Sequence, residues 1–388
     1  MKIGIDAHGV GGHSFGLGNE TYALNLISHL LDLDGDSEYH IFVNHPEAVE
    51  DAVAGHRNVR LVSLRPHSQW IQRPISLPAY AWRNRLDVVH VPFVRPPMIR
   101  TRTIVTVHDA DYEVHPSDFT FVERWRMKML VRPSCRRADM IFTVSEFARR
   151  QIHELYGVPY SKIAVTYNAA DHIARPVSEP QALRHFELPY PCIFFVGMIQ
   201  PKKNLPNLVR AFEVFKYRTR LPHHLVLVGK WGWRNEELQA VLAASPFRAQ
   251  ICFPGYMTSQ EIATYLPRAD AFVFPSLYES FGIPPMEAQR LGVPVLVSNS
   301  TCFPEIYGDS ALYCDPYSVE SIAAGLERVL KDQPLRANLI RRGFENVRRF
   351  SWRESARTAL AAYRRVAAGG TPTTEAPAGI SPPALERA

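Results

Sequence analysis

The stretch Ala271-Phe-Val-Phe-Pro275-Ser-Leu-Tyr-Glu279-Ser-Phe-Gly282-Ile-Pro-Pro-Met-Glu287-Ala288 decides how the rest of the chain is read. Its apolar opening has the length and composition of a short buried strand. Pro284 and Pro285 fit the first turn of a following helix, where a missing N–H costs nothing. The segment therefore runs strand, loop, helix, with a glycine turn and a proline pair between two carboxylates. Backbone N–H groups and the dipole at such a helix start attract an anion such as a diphosphate. Glu279 and Glu287 could then accept hydrogen bonds from hydroxyls on either side of it. A nucleotide sugar has that layout: hexose, diphosphate, ribose. Taken alone, Glu287 also reads as a first-turn carboxylate that complements the helix dipole.

Outward from this segment, apolar β-type runs alternate with helical patterns, as expected of parallel sheets with crossover helices. One series comprises residues 2–6, 40–43, 59–62, 87–90, 103–107 and 139–144; a second comprises 192–196, 224–228, 251–253, 271–274 and 293–297. The 388 residues exceed what one hydrophobic core usually serves, so two α/β domains are predicted. The first spans 1–173 and the second 185–350, joined by a polar, proline-containing linker at 174–184. A helix over 351–367, capped by Ser351, follows, and 368–388 is predicted to be a disordered tail.

Composition narrows the class. Hydrophobic residues make up 46% and charged residues 21%, an ordinary balance for a globular protein. The five cysteines, Cys135, Cys192, Cys252, Cys302 and Cys314, are odd in number and scattered, which suits free thiols in a reducing cytosol. Neither a signal peptide nor a membrane-crossing span is visible, so the expected location is cytoplasmic. The charge of +6 and pI near 9.0 favour anionic partners, but no nucleic-acid-binding motif accompanies them. From Phe119 to Arg137, large apolar residues are interleaved with six cations and one acid. This is either a basic amphipathic helix for an anionic membrane surface or a solvated basic face of a helix buried through its Trp and Met residues.

In open α/β sheets ligands bind beyond the carboxyl ends of the strands, so residues just after strands carry the most weight. After the first strand, His8 to Glu20 is a glycine-rich loop that leads into a helix predicted over 21–31. Such a loop lets backbone N–H groups approach a phosphate, though it also serves a ligand-free turn. The dinucleotide fingerprint fails, because counting from Gly9 the sixth position is Ser14 and from Gly16 it is Thr21. His108-Asp109 follows the strand at 103–107; a histidine there can hydrogen-bond a sugar hydroxyl, or be structural. In the second series, Lys202 and Lys203 stand at the mouth of a strand, where a cation stabilises negative charge on a departing phosphate. Trp231, Trp233 and Tyr256 follow two further strands and suit either base stacking or packing.

These elements resemble the family-four retaining glycosyltransferases, whose signature is Glu-x7-Glu and whose architecture is the two-domain glycosyltransferase B fold. The resemblance runs from the amino terminus to the Phe350-Ser-Trp-Arg-Glu segment. It implies two Rossmann-like parallel-sheet domains facing across a cleft, with the carboxyl-terminal helix crossing back to the first. Gly16 and Gly18 match the glycines that face the donor diphosphate, with Asn19 where a basic residue is usual. Lys203 matches the phosphate lysine; Met198 replaces a frequent arginine, whose role passes to Lys202. His108 is implied to contact the transferred sugar, Glu279 its hydroxyls, Phe281, Gly282 and Ile283 to present backbone to the donor, and Glu287 to bind ribose, with Tyr256 near the base.

The implied reaction is transfer of a hexose, mannose or glucose, from GDP-mannose or a UDP-sugar to a glycan or lipid-linked acceptor in polysaccharide or cell-envelope biosynthesis. Anomeric configuration would be retained, with no cofactor or metal, and with peripheral contact at the inner membrane face. A sugar phosphorylase or a non-catalytic sugar-nucleotide-binding protein would use the same cleft.

Overall fold

The computed structural model describes residues 1–12, 17–68, 71–173 and 186–370. Gly16, the linker and residues 371–388 of the tail lie outside these. Contacts divide the chain into one unit of Met1–Asn168 with the described residues from Ser351 on, and another of Ala169–Phe350. Residues 169–173, assigned from sequence to the first domain, thus associate with the second unit.

The first unit is built on seven strands, β1 (Lys2–Asp6), β2 (Glu38–Phe42), β3 (Val59–Val62), β4 (Val88–Pro92), β5 (Arg102–Thr106), β6 (Met140–Thr143) and β7 (Ile163–Val165). They form one parallel sheet in the order β3-β2-β1-β4-β5-β6-β7. The second unit has β8 (Cys192–Val196), β9 (His224–Val228), β10 (Ile251–Gly255), β11 (Ala271–Phe274), β12 (Val295–Ser298) and β13 (Leu312–Cys314). These are also parallel, ordered β10-β9-β8-β11-β12-β13. Every residue of β8, β11 and β12 is buried, which is why these strands are continuous apolar runs rather than alternating ones. Strand order reverses beside β1 in one sheet and beside β8 in the other, and ligand crevices open at such switch points.

The helix Trp352–Ala367 belongs to the first unit, packing on the helix Leu17–Leu33 and on β4 to β7. Ser351 caps it as expected, accepting from the Arg353 N–H. Trp352 is fully buried, and the Tyr363 hydroxyl lies 2.7 Å from His90 Nδ1. The helix Leu17–Leu33 starts four residues earlier than its apolar pattern suggested. Gly18 therefore lies in its first turn, and Glu20 reaches back to accept a hydrogen bond from the Gly11 N–H at 3.0 Å.

The basic segment is a helix, Phe121–Arg137, opened by a capping box between Thr120 and Glu123. Burial through its Trp and Met residues holds only for Met127, which packs on the unit's core. Phe121, Trp125 and Met129 are 82%, 59% and 55% exposed, so the amino-terminal half presents apolar surface among its cations. Among the described residues, no helix is long and apolar enough to cross a membrane.

Candidate functional site

In the second unit the loops after β8 and β11 flank the switch point, and both predicted charged residues emerge from them. Past β8, Pro201–Lys203 forms one tight helical turn that ends at Asn204, held at φ +59. The Asn204 side-chain amide donates to the Pro275 carbonyl at 3.0 Å and to the Pro316 carbonyl at 2.6 Å. The Leu277 N–H donates to the Lys202 carbonyl at 2.8 Å. These bonds lock the two loops together, and the result is a direct ion pair between Lys203 Nζ and Glu279 Oε1. Both side chains are nearly nine-tenths buried, and Nζ lies 4.7 Å from the Phe274 ring centroid. Lys202 is less enclosed, its Nζ 6.0 Å from the Tyr278 ring centroid.

Gly282 is the amino cap of the helix Ile283–Arg290, at φ +85. A Cβ there would meet Phe303 at 2.7 Å, so both conformation and space require glycine. The Tyr307 hydroxyl donates to the Gly282 carbonyl and fixes the turn from behind. Phe281 and Ile283 are buried beside it. The two prolines occupy the first turn as expected. Glu287 lies beyond that turn, so the dipole reading of this carboxylate is not realised. Instead its Oε1 lies 3.0 Å from His172 Nε2, in a pair whose side chains are 10% and 14% exposed. His172 precedes the linker and carried no motif that could have singled it out. Ser276 and Ser280, on either side of Glu279, have buried hydroxyls with no partner among the described residues.

The ends of β8, β9 and β10 are stitched by backbone bonds: the Gly197 N–H donates to Val228, Ile199 to Lys230 and Gly229 to Gly255. Beside them Trp231 stacks on Phe253 at 5.2 Å yet is 47% exposed, and Lys230 sits 4.8 Å over the Tyr256 ring. Packing and an available aromatic face thus coexist at Trp231.

In the first unit His108 follows β5 and is buried between Tyr22, edge-on at 4.8 Å, and Phe93 at 5.7 Å. Burial pushes its imidazole down to about 4 against the opposing charge of Asp109, so the ring is neutral near pH 7. Asp111, the second acid of the Asp-Ala-Asp run, is buried at the start of a helical turn with His115 Nδ1 3.1 Å from its Oδ1.

Residues 181–346 match the family described as glycosyl transferases group 1, and residues 18–172 match glycosyltransferase family 4. The chain is 32% identical over 295 residues to O-antigen chain mannosyltransferase B of Escherichia coli, covering 74% of this chain and 76% of that protein. It is 27% identical over 278 residues to the serotype-specific mannosyltransferase WbdA of Escherichia coli, covering 68% of this chain and about a third (34%) of that longer protein. Its fold is similar to that of a sucrose-phosphate synthase from Thermosynechococcus elongatus, with a TM-score of 0.75 at 19% identity over 95% of this chain and all of the other. With two parallel-sheet units and these relatives, the chain is a hexosyltransferase of glycosyltransferase B architecture and belongs to the group 1, family 4 glycosyltransferases.

Proposed function

We propose that the protein transfers mannose from GDP-mannose to a hydroxyl of a glycan or lipid-linked acceptor, with retention of configuration, during assembly of a surface polysaccharide. The carrying observation is the Lys203–Glu279 pair, held by Asn204 at the switch point of the second sheet. A cation and a hydroxyl-binding carboxylate so placed suit the two halves of a sugar diphosphate. The preference for mannose rests on the mannosyltransferase relatives; UDP-glucose is the next candidate.

Lys203, assisted by Lys202, stabilises charge building on the departing diphosphate. Glu279 accepts from hydroxyls of the transferred sugar, and the backbone of Phe281, Gly282 and Ile283 lines the donor. Glu287 takes the ribose hydroxyls, and Tyr256 lies near the base. Gly16 and Gly18 are the glycines assigned to the donor diphosphate, Gly18 from the first turn of the helix Leu17–Leu33. Neutral His108 positions a sugar hydroxyl rather than acting as a base. The departing phosphate oxygen takes the acceptor proton, and no metal is required. Peripheral attachment to an anionic membrane through the helix Phe121–Arg137 would bring the enzyme to a lipid-linked acceptor.

A panel of nucleotide sugars, scored for donor hydrolysis and transfer in the presence of a chelator, tests this reading. GDP-mannose is expected to be consumed fastest. Consumption of none of them, or release of sugar phosphate only with added inorganic phosphate, overturns it.

A further inference from the structure

At the carboxyl end of β1, beside the first sheet's switch point, Asp6 is buried with a 1% exposed side chain and lies 3.4 Å from Arg73 Nε. His8 Nδ1 lies 2.6 Å from Asp6 Oδ1, and the His8 N–H donates to the same oxygen at 3.1 Å. Burial raises the Asp6 carboxyl, but Arg73 and His8 outweigh it and hold the group at about 2. The Asp6 carboxylate facing Nδ1 selects the imidazole tautomer that carries its proton on that nitrogen. The other nitrogen, Nε2, is then a hydrogen-bond acceptor, and it is buried with no partner among the described residues.

The surroundings hold this ring in place. Phe42 stacks on it at 6.1 Å, and the Asn44 side-chain amide donates to the His8 carbonyl at 3.3 Å. Asn44 Oδ1 in turn accepts from Gln72 Nε2 at 3.0 Å, which ties the cluster to the segment that carries Arg73. Charge within the cluster is already matched, Asp6 against Arg73, so an anion gains little here. What is missing is an O–H donor for a fixed, buried lone pair.

We propose that His8 Nε2 accepts a hydrogen bond from a hydroxyl of the sugar acceptor, making the Asp6–His8–Arg73 cluster an acceptor subsite. The inference rests on the transferase reading above. In it Asp6 is a positioning residue, because it sets the tautomer and orientation of His8, while His8 touches substrate.

The test uses the full chain with GDP-mannose and methyl α-mannoside as the acceptor probe. Three quantities are read: KM for the acceptor, donor hydrolysis in its absence, and binding of GDP. His8→Phe, which keeps the ring stack and removes both nitrogens, is expected to raise acceptor KM about tenfold, with donor hydrolysis and GDP affinity within twofold of wild type. His8→Gln, whose amide oxygen can stand near Nε2, is expected to recover much of the loss; a merely structural role would give no such ordering. Unchanged acceptor KM in His8→Phe, alongside normal donor hydrolysis, overturns the subsite and leaves the transferase reading standing. A parallel fall in donor hydrolysis and GDP binding overturns it too, because the cluster would then serve the donor or the fold. Should His8→Phe not fold, an acceptor KM in Asp6→Asn equal to that of wild type, alongside normal donor hydrolysis, has the same consequence.

Discussion

Lys203 and Glu279 form a direct ion pair although 76 residues separate them in sequence. Neither loop could hold its charge buried alone; each ion is tolerable because the other is beside it. Function and stability therefore separate under substitution. Lys203→Met should lower transfer by about 100-fold or more, the scale for loss of one group facing developing charge. It should also destabilise the second unit by about 3 kcal/mol, since an uncompensated carboxylate stays buried. The double variant Lys203→Met, Glu279→Leu should regain most of that stability in chemical denaturation while transfer stays lost. Recovery of activity with stability would make the pair purely structural.

Gly229 has a backbone requirement no other residue can meet. At φ +151, a Cβ would stand 1.8 Å from the Gly197 carbonyl oxygen, in the bonds that join β8 to β9. Gly229→Ala must push these strand ends apart and should cost more than about 3 kcal/mol, in the range reserved for backbone strain and core clashes. Urea denaturation gives the number, and a loss below about 1 kcal/mol would show that the strand ends yield easily.

Much of this was legible because parallel sheets buried on both faces leave unbroken apolar runs such as Cys192–Val196 and Ala271–Phe274, and strand ends point to the ligand side. Lys203, Glu279 and Gly282 follow from that rule. Strands β7 and β13, three residues each, are too short to leave a periodic signal. His172 could not be anticipated either: its partner Glu287 lies 115 residues away, and a lone histidine in a loop carries no spacing. The early start of the helix Leu17–Leu33 was hidden by Gly18, a residue that reads as loop but here takes a first-turn position. The bond from Gly11 to Glu20 shows what holds that turn in register.

Glu287 is the carboxylate assigned to ribose, and its free state is already engaged by His172 at 3.0 Å. Glu287→Ala should weaken GDP binding about tenfold, the worth of one charge-assisted hydrogen bond. His172→Ala should weaken it less, because the carboxylate survives and loses only its orientation. Calorimetric titration with GDP checks the order; equal affinity in wild type and Glu287→Ala would remove this residue from the donor site.

The exposed ring of Trp125 and the thioether of Met129 stand on a helix that also carries Arg124, Arg126, Lys128 and Arg132. If this face meets a membrane, apolar insertion and charge should contribute separately. Trp125→Ser with Met129→Ser should cut binding to vesicles containing anionic lipid several-fold at any salt. Arg126→Gln with Arg132→Gln should cut it chiefly at low salt. Co-sedimentation measures both, and wild-type protein that stays in the supernatant with anionic vesicles at low salt removes the membrane from the account.

His108 and His90 give the first unit a dependence on acid. Burial is the main cause in both, pushing His108 down to about 4 and His90, which also feels the charge of His108, to about 3. His90 is fixed further by Thr106 Oγ1 at 2.5 Å from its Nε2 and by the Tyr363 hydroxyl, so it joins β4 to the carboxyl-terminal helix. In the unfolded chain both rings titrate near 6.5, so between that pH and about 4 the unfolded state binds more protons than the folded one. Stability is full above about pH 6.5 and falls as pH drops through this window, by about 2 kcal/mol per histidine at pH 5. Asp6, held at about 2, keeps its charge in the folded state throughout this window, and its own contribution begins to be lost only as pH falls below about 5. Thermal melts at pH 7.5 and 5.0 should show wild type losing several degrees more than His108→Gln, which has no proton to take up. Equal losses in the two proteins would mean that His108 is already protonated, or solvated, in the folded state.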